Sequence, residues 1–253
     1  MNTVKVRDIE IGTGTPKIVV PICGVSREEI LEAARSLEGL PADVVEWRAD
    51  WFEDVMEFDA VESVLRELRL VLGNTPLLMT FRRAREGGEK AIHLDDYETL
   101  NLQAAKTGYV DMVDVELFAG DEIVRRIIQG AQAQGVKVIA SNHDFQKTPC
   151  KDEIISRLLR MQELGADILK MAVMPESPQD VLTLLSATEE MVSGGAEQPV
   201  VTMSMGGTGV ISRLCGQVFG SAMTFGAAGK ASAPGQIDVQ NLKKILDVMQ
   251  DAL

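Results

Sequence analysis

Residues 136–172 read VKVIASNHDFQKTPCKDEIISRLLRMQELGADILKMA. Val136-Lys137-Val138-Ile139-Ala140-Ser141 is a short β-branched run, and Asp167-Ile168-Leu169-Lys170-Met171-Ala172 is a second. Between them Ile154, Ile155, Leu158, Leu159 and Met161 recur at the three-to-four spacing of one helix face. A strand, a helix and a strand in that order form a parallel pair with its crossover. Both runs are apolar at consecutive positions, as strands covered on two faces must be. The stretch therefore predicts one β/α unit of a buried parallel sheet.

The same alternation extends in both directions. Upstream lie runs at 17–23, 44–48, 76–81 and 109–115, and downstream at 199–204 and 222–226. Val61, Val64, Leu65, Leu68 and Leu72 give another amphipathic helix, and a last one spans about 239–249. Ser26 with Glu29 makes a capping box, and Gly108 and Gly135 sit at helix C-cap positions. The count is eight strand–helix units, the one after the seventh strand being short and irregular. Eight units in 253 residues predict an α/β fold, a closed (β/α)8 TIM barrel filling residues 1–253 as a single catalytic domain. Val4-Lys5-Val6 and Ile9-Glu10-Ile11, around Arg7-Asp8, predict an N-terminal β-hairpin closing one end of the barrel.

Composition narrows the function. The 25 Lys+Arg against 38 Asp+Glu leave a net charge of −13, which argues against nucleic acid or an anionic membrane as partner. No apolar run approaches the roughly 20 residues of a membrane span. The N-terminal residues lack an apolar signal core, so a cytoplasmic location is expected. Three widely spaced cysteines and two histidines argue against a disulfide framework and against a His/Cys metal site.

In such barrels chemistry sits at the C-terminal ends of the strands. The polar residues there are Glu46, Arg48 and Asp50, then Arg82, Arg83 and Glu86, then Asp114 and Glu116, then Asn142, His143 and Asp144, with Lys170, Arg213, Ser232 and Gln236 completing the mouth. Lys170 interrupts an apolar strand. Burial disfavours its charged form, and a neutral amine with cationic neighbours attacks carbonyls to form a Schiff base. The alternative is a lysine at a strand tip reaching solvent. His143 suits general acid/base work, or else caps its strand. His93 precedes a helix and is read as a surface or capping residue. Glu86 can orient the imidazole through Nδ1, or it is a solvated loop charge. Arg48, Arg82 and Arg213 can fork onto carboxylates, or pair with Glu46, Asp50 or Glu116. Gly206-Gly207-Thr208-Gly209 is read as a flexible turn, since it lacks the spacing of a phosphate loop. Residues 230–236, rich in small residues with Pro and Gly, are expected to form a lid.

These residues resemble the type I 3-dehydroquinate dehydratases, nearly end to end. Carriers of the resemblance are Glu46-Trp47-Arg48-Ala49-Asp50, Thr80-Phe81-Arg82 with Glu86-Gly87-Gly88-Glu89, and Ser141-Asn142-His143-Asp144-Phe145. Lys170-Met171-Ala172-Val173-Met174-Pro175, Gly209-Val210-Ile211-Ser212-Arg213 and Ser232-Ala233-Pro234-Gly235-Gln236 also fit. The resemblance implies a lyase of the shikimate pathway, in aromatic amino-acid biosynthesis. It is expected to act on 3-dehydroquinate as a homodimer, without metal or organic cofactor. It implies Lys170 as the Schiff-base lysine, His143 as the proton-transfer group, Glu86 as its orienting carboxylate and Arg213 as the ligand of the substrate carboxylate. Glu46, Arg48, Arg82, Ser232 and Gln236 match groups that hold the hydroxyls and the carboxylate end. Pro21, Arg83 and Leu169 depart from the pattern, where Ser, Ser and Pro are frequent. A class I aldolase and a non-catalytic binding barrel are the rival readings. The first would use a phosphate site after strands seven and eight; the second would bind without turnover.

Overall fold

The computed structural model describes residues 2–229 and 233–253. Two short antiparallel strands open the chain, β1 (Val4–Val6) and β2 (Ile9–Ile11). Then β3 (Lys17–Ile22), β4 (Val44–Arg48), β5 (Leu77–Thr80), β6 (Met112–Glu116), β7 (Lys137–Asp144), β8 (Ile168–Val173) and β9 (Val200–Ser204) pair in parallel, each with the next. Helices α1 (Arg27–Arg35) to α6 (Pro178–Glu190) connect them in turn. After β9 come two short helices, α7 (Val210–Leu214) and α8 (Gly216–Phe219), then β10 (Met223–Ala227), the two-residue β11 (Ile237–Asp238) and α9 (Val239–Ala252). Strand β10 pairs in parallel with β3, so the sheet runs β11-β10-β3-β4-β5-β6-β7-β8-β9.

Among the described residues this is a parallel α/β sheet of nine strands that curls on itself, one strand more than the eight-unit reading. The extra strand is β11, which adds parallel to β10 through Gly226 and Ala227. Its two residues are too few to write an apolar run, which is why the sequence pattern missed it. Among the described residues no ladder joins β9 to β10, and the backbone bond seen across that seam is Ala222 N–H to Val200 O at 2.8 Å. Beside it the Ser221 hydroxyl accepts from Thr202 N–H at 3.1 Å, a side chain standing where a ladder would be.

Side-chain alternation along parallel strands sorts residues into two cores. Val45, Trp47, Met79, Val113, Val138 and Leu169 face the helices. Val19, Val44, Leu78, Met112, Ile139, Ile168, Val201 and Met223 face inward and form a second cluster, one residue from each of β3 to β10. Val4, Val6 and Ile11 of the hairpin join this inner cluster and plug its N-terminal end. Arg7, at the hairpin turn with φ of 51°, anchors it by donating to Asp111 Oδ1 at 2.6 Å. The capping box expected at the start of α1 forms in part. Ser26 Oγ accepts from Glu29 N–H, although the Glu29 carboxylate reaches back to Val25 N–H, one residue before the cap.

Ile11 has no exposed surface, so Ile11→Ala opens a cavity under the inner cluster. Urea unfolding is expected to show a loss of about 2–5 kcal/mol. A loss below half a kcal/mol would mean that the hairpin does not seal the interior.

Candidate active site

Two-residue steps along the strands build the site. In β4 the inward series is Val44, Glu46, Arg48; in β6 it is Met112, Asp114, Glu116. In β7 it is Ile139, Ser141, His143, and in β8 Ile168, Lys170, Ala172. Each series starts in the apolar inner cluster, and in all but β8, whose third member is the small Ala172, the next two members are polar. The register pairs Ser141 with Lys170 and His143 with Ala172, so His143 stands one pleat nearer the mouth than Lys170.

Lys170 is 3% exposed. Its Nζ donates to Asp114 Oδ2 at 3.0 Å, lies 3.9 Å from Glu46 Oε1 and sits 4.5 Å from the centroid of the Phe225 ring. The cationic surroundings expected from sequence are therefore not what touches this amine. Its direct partners are carboxylates, because β4 and β6 aim acidic side chains at the same inner level. Asp114 is the hub of the site. Its other oxygen accepts from Arg82 at 2.8 Å and from the Ser141 hydroxyl at 2.5 Å. Burial alone would push its proton affinity up; Arg82 and Lys170, with the hydrogen bond from Ser141, reverse this and hold it well below the usual carboxylate range.

The three arginines divide. Arg82 donates to Asp114, to Glu116 at 3.0 Å and to Ser141 at 3.1 Å. Burial works against its charge, but those carboxylates outweigh it and its pKa rises well above the ordinary value. Arg48 grips Asp50 in a bidentate pair at 2.8 and 2.7 Å. Both thus take up the carboxylate-paired alternative. Arg213 differs. One terminal nitrogen donates to Pro234 O at 3.0 Å, the other lies 3.8 Å from Met203 Sδ, and its buried Nε has no partner. Among the described residues no carboxylate pairs with it, and burial pulls its pKa down to about 10. A buried guanidinium without a counter-ion is costly, and an incoming anion would relieve that cost.

His143 and Glu86 form the proton-handling pair. Glu86 Oε2 accepts from His143 N–H at 2.8 Å and lies 3.2 Å from His143 Nδ1. Burial, then Arg82 and Lys170, lower the imidazole pKa well below its usual value. Burial and Glu116 push Glu86 up to about 7, against the pull of Arg82. The imidazole is therefore neutral near pH 7, with Nδ1 facing the carboxylate. Glu86 owes its position to a short 3-10 turn, Ala84–Glu86, closed by Gly87 at φ +82°. A Cβ on Gly87 would strike the Phe145 ring, so both backbone and packing require glycine there.

Glu46, Arg48, Arg82, Glu86, His143, Lys170, Arg213 and Gln236 all line one cavity of about 230 Å³. Ser232 lies outside the described residues, as do Lys230 and Ala231 of the expected lid. The described part of that loop is docked. Pro234 O accepts from Gly206 N–H at 3.2 Å as well as from Arg213, and Gly235 packs too close to the Gly206 carbonyl for any side chain. Gly206-Gly207-Thr208-Gly209 is thus a bonded turn at the cavity wall. A larger hollow of about 370 Å³ lies beside β3 and α1, but its described lining carries no Lys, Arg or His. His93 is exposed at the start of α3 (Leu94–Lys106), outside the cavity. Among the described residues no group of three His, Cys, Asp or Glu is placed to hold a metal ion.

Sequence reading places Asp114 and Glu116 at the mouth, with Glu116 among the alternative arginine partners, but gives neither Asp114 nor Ser141 a role of its own. The signal was present: Met112-x-Asp114-x-Glu116 puts two acids on the inward parity of an apolar strand. Thr80, whose hydroxyl donates to Glu46 at 2.8 Å, has the same parity in β5.

Comparison with known proteins adds the following. A family model described as type I 3-dehydroquinase matches residues 18–252. A 3-dehydroquinate dehydratase of Listeria monocytogenes serotype 4a (strain HCC23) is 57% identical over 249 residues, spanning 98% of each chain. That of Clostridioides difficile (strain 630) is 53% identical over 250 residues, 99% of this chain and 98% of the relative. Among solved structures, type I 3-dehydroquinate dehydratase from Clostridium difficile with covalent modified comenic acid superposes with a TM-score of 0.97 at 52% identity, covering 100% of this chain and 99% of that one. The 3-dehydroquinate dehydratase of Geobacillus kaustophilus HTA426 gives 0.96 at 36% identity, covering 99% and 97%.

Glu86 offers a stability test. Its folded pKa is raised, so the stability it contributes is complete below its ordinary value near 4.5 and is lost as pH rises through about 7. Glu86→Gln removes the buried charge. Relative to the parent, the variant is expected to gain about 1–3 kcal/mol more at pH 8 than at pH 4 in urea unfolding. An equal offset at both pH values would contradict a strained Glu86.

Proposed function

The chain belongs to the type I 3-dehydroquinase family of hydro-lyases, and we propose that it dehydrates 3-dehydroquinate through a Schiff base at Lys170, with His143 as acid and base. One observation carries this reading: a buried amine, a neutral imidazole and an anion-ready guanidinium share one cavity. The covalently modified ligand in the C. difficile relative is what a nucleophilic site of this kind would give.

The Lys170 amine adds to the C3 ketone, and the carbinolamine loses water to an iminium. Its positive nitrogen lies where Lys170 Nζ now meets Asp114. The cations around Asp114 keep that group ionised, so it is a permanent counter-ion to the iminium. With Nδ1 protonated toward Glu86, the imidazole presents Nε2 as the base. Nε2 takes the C2 proton, and the electron pair flows into the iminium to give an enamine. The enamine expels the C1 hydroxyl, which leaves as water with the proton returned by His143. Hydrolysis of the product iminium consumes the water released on forming the first one. It frees Lys170 and yields 3-dehydroshikimate, with one net water lost. General acid/base help is worth about 10²–10⁴-fold, so the iminium and positioning supply the remainder.

Arg213 binds the substrate carboxylate, which would satisfy its unpartnered Nε. Glu46, Arg48, Arg82, Ser232 and Gln236 complete the contacts to the hydroxyls and the carboxylate end, Arg82 acting chiefly by fixing Asp114 and Glu116. The curled sheet is read as a closed (β/α)8 barrel. The inner cluster shared by β3 to β10 and the Ala222–Val200 bond across the seam support this. A place in the shikimate pathway and a homodimer rest on the family, and a cytoplasmic location on the N-terminal residues, which lack an apolar signal core.

Borohydride added with 3-dehydroquinate is expected to leave a ligand-sized mass on Lys170, located by peptide mapping. An adduct on another lysine, or none during turnover, would overturn the Schiff-base assignment. His143→Ala is expected to lower kcat by at least about 10²-fold with substrate binding retained. A larger loss in His93→Ala would reverse the choice of histidine.

A further inference from the structure

Helix α5 (Lys151–Glu163) packs outside β7 and contributes nothing to the cavity lining. One of its residues nevertheless reaches the proton-handling pair through a single intermediate. Arg157 is mostly buried. Its Nε donates to Glu153 Oε1 at 2.7 Å, and one terminal nitrogen donates to Asn142 Oδ1 at 2.9 Å. The guanidinium carbon sits 5.2 Å from the centroid of the Phe118 ring, which restricts its plane. Asn142 is 2% exposed and lies on the helix-facing side of β7, one residue before His143. Its Nδ2 donates to Glu86 Oε1 at 3.4 Å.

The direction of these bonds follows from donor chemistry. An arginine has donors and no acceptor, whereas a side-chain amide has one end of each kind. Arg157 therefore selects which end of Asn142 faces it, and the amide's donor end is left for Glu86. A flipped amide would present Oδ1 to the carboxyl instead and would stabilise the protonated acid. Glu86 is open to such a bias, since its proton affinity already lies near 7. With Oε1 taken by Asn142, Oε2 serves His143 N–H and Nδ1.

We propose that Arg157 is a positioning residue for His143: it fixes the Asn142 amide, the amide keeps Glu86 an acceptor, and Glu86 keeps the imidazole proton on Nδ1. The proposal rests on the reading of His143 as base only for its kinetic consequence; the tautomer itself is a property of the resting protein. The charged groups that surround the pair come from every neighbouring strand. They are Arg48 on β4, Arg82 after β5, Asp114 and Glu116 on β6, and Lys170 on β8. Asp144, at the end of β7, lies 3.7 Å from Arg157. Removing Arg157 also removes a cation, so the relay must be separated from a plain charge effect. Asn142→Leu does this, because it breaks the relay and leaves every charge in place.

With only two histidines in the chain, His93→Asn leaves His143 as the sole imidazole in a ¹⁵N spectrum. In this background His143 is expected to show a protonated Nδ1 and a bare Nε2. Arg157→Leu and Asn142→Leu are both expected to move the two nitrogen shifts toward each other as the second tautomer becomes populated. In the His93-containing protein, both are expected to raise the acid limb of the kcat/KM profile by about half a unit to one unit. Arg157→Lys, which keeps a donor and the charge, is expected to restore most of both. Unchanged shifts and limb in the two Leu variants would overturn the proposal, whatever happens to kcat. A change in Arg157→Leu without one in Asn142→Leu would also overturn it, in favour of a charge effect. If Arg157→Leu does not fold, Asn142→Leu and Arg157→Lys decide the matter on the same readouts. Shifts that move without any kinetic change would leave the positioning role standing and would instead remove His143 from the reaction.

Discussion

Asp114 is the constraint on which the site depends. It is a carboxylate with no exposed surface, and such a group is tolerated only when its oxygens are fully engaged. Three neighbours engage it, each from a different element: Lys170 from β8, Ser141 from β7 and Arg82 from the end of β5. Removing the acid would take from Lys170 its 3.0 Å partner, leaving Glu46 at 3.9 Å, and would leave Arg82 with Glu116 as its remaining close carboxylate. The parallel register makes the arrangement possible, because each strand delivers its inward residue at a fixed two-residue step above the apolar inner cluster. The same geometry that seals the core sets the distance from the lysine to its counter-ion.

A second consequence is the separation of charge. The chain carries a net charge of −13, yet four cations converge on one cavity. Arg48, Arg82 and Lys170 are matched by Asp50, Asp114, Glu116 and Glu46. Arg213 is not matched among the described residues, so the field that an anionic ligand meets is centred there. The matched cations serve another purpose. Together with burial, they make a positive charge on His143 unfavourable and so leave its imidazole ready to accept a proton. Glu86, strained by burial and by Glu116, holds the proton on the other nitrogen. Catalytic poise and local instability have one cause.

Much of this was legible in the sequence. Buried parallel strands write uninterrupted apolar runs, so β3 to β10 and the hairpin were readable, and a lysine inside such a run could be singled out. Lys170, His143 and Glu86 also lie in motifs that resemble a known family. What could not be read depends on alignment between strands. That Ser141 stands beside Lys170, and that Asp114 reaches that lysine, follow from register and curvature, not from local pattern. Arg82 illustrates the same limit. It lines the cavity as expected, but that it also pairs with two acids of a strand more than thirty residues away is set by register. Strand β11 was invisible for a simpler reason, since two residues carry no period.

The most direct measurement is a crystal structure of the His143→Ala variant soaked with 3-dehydroquinate. Without the base, the covalent complex should form and stall before the C2 proton is lost. Continuous density from Lys170 Nζ to C3 is expected, with Asp114 still beside that nitrogen and the ligand carboxylate on Arg213. A ligand bound with its ketone intact, and Lys170 undisturbed on Asp114, would contradict the Schiff-base chemistry at its root.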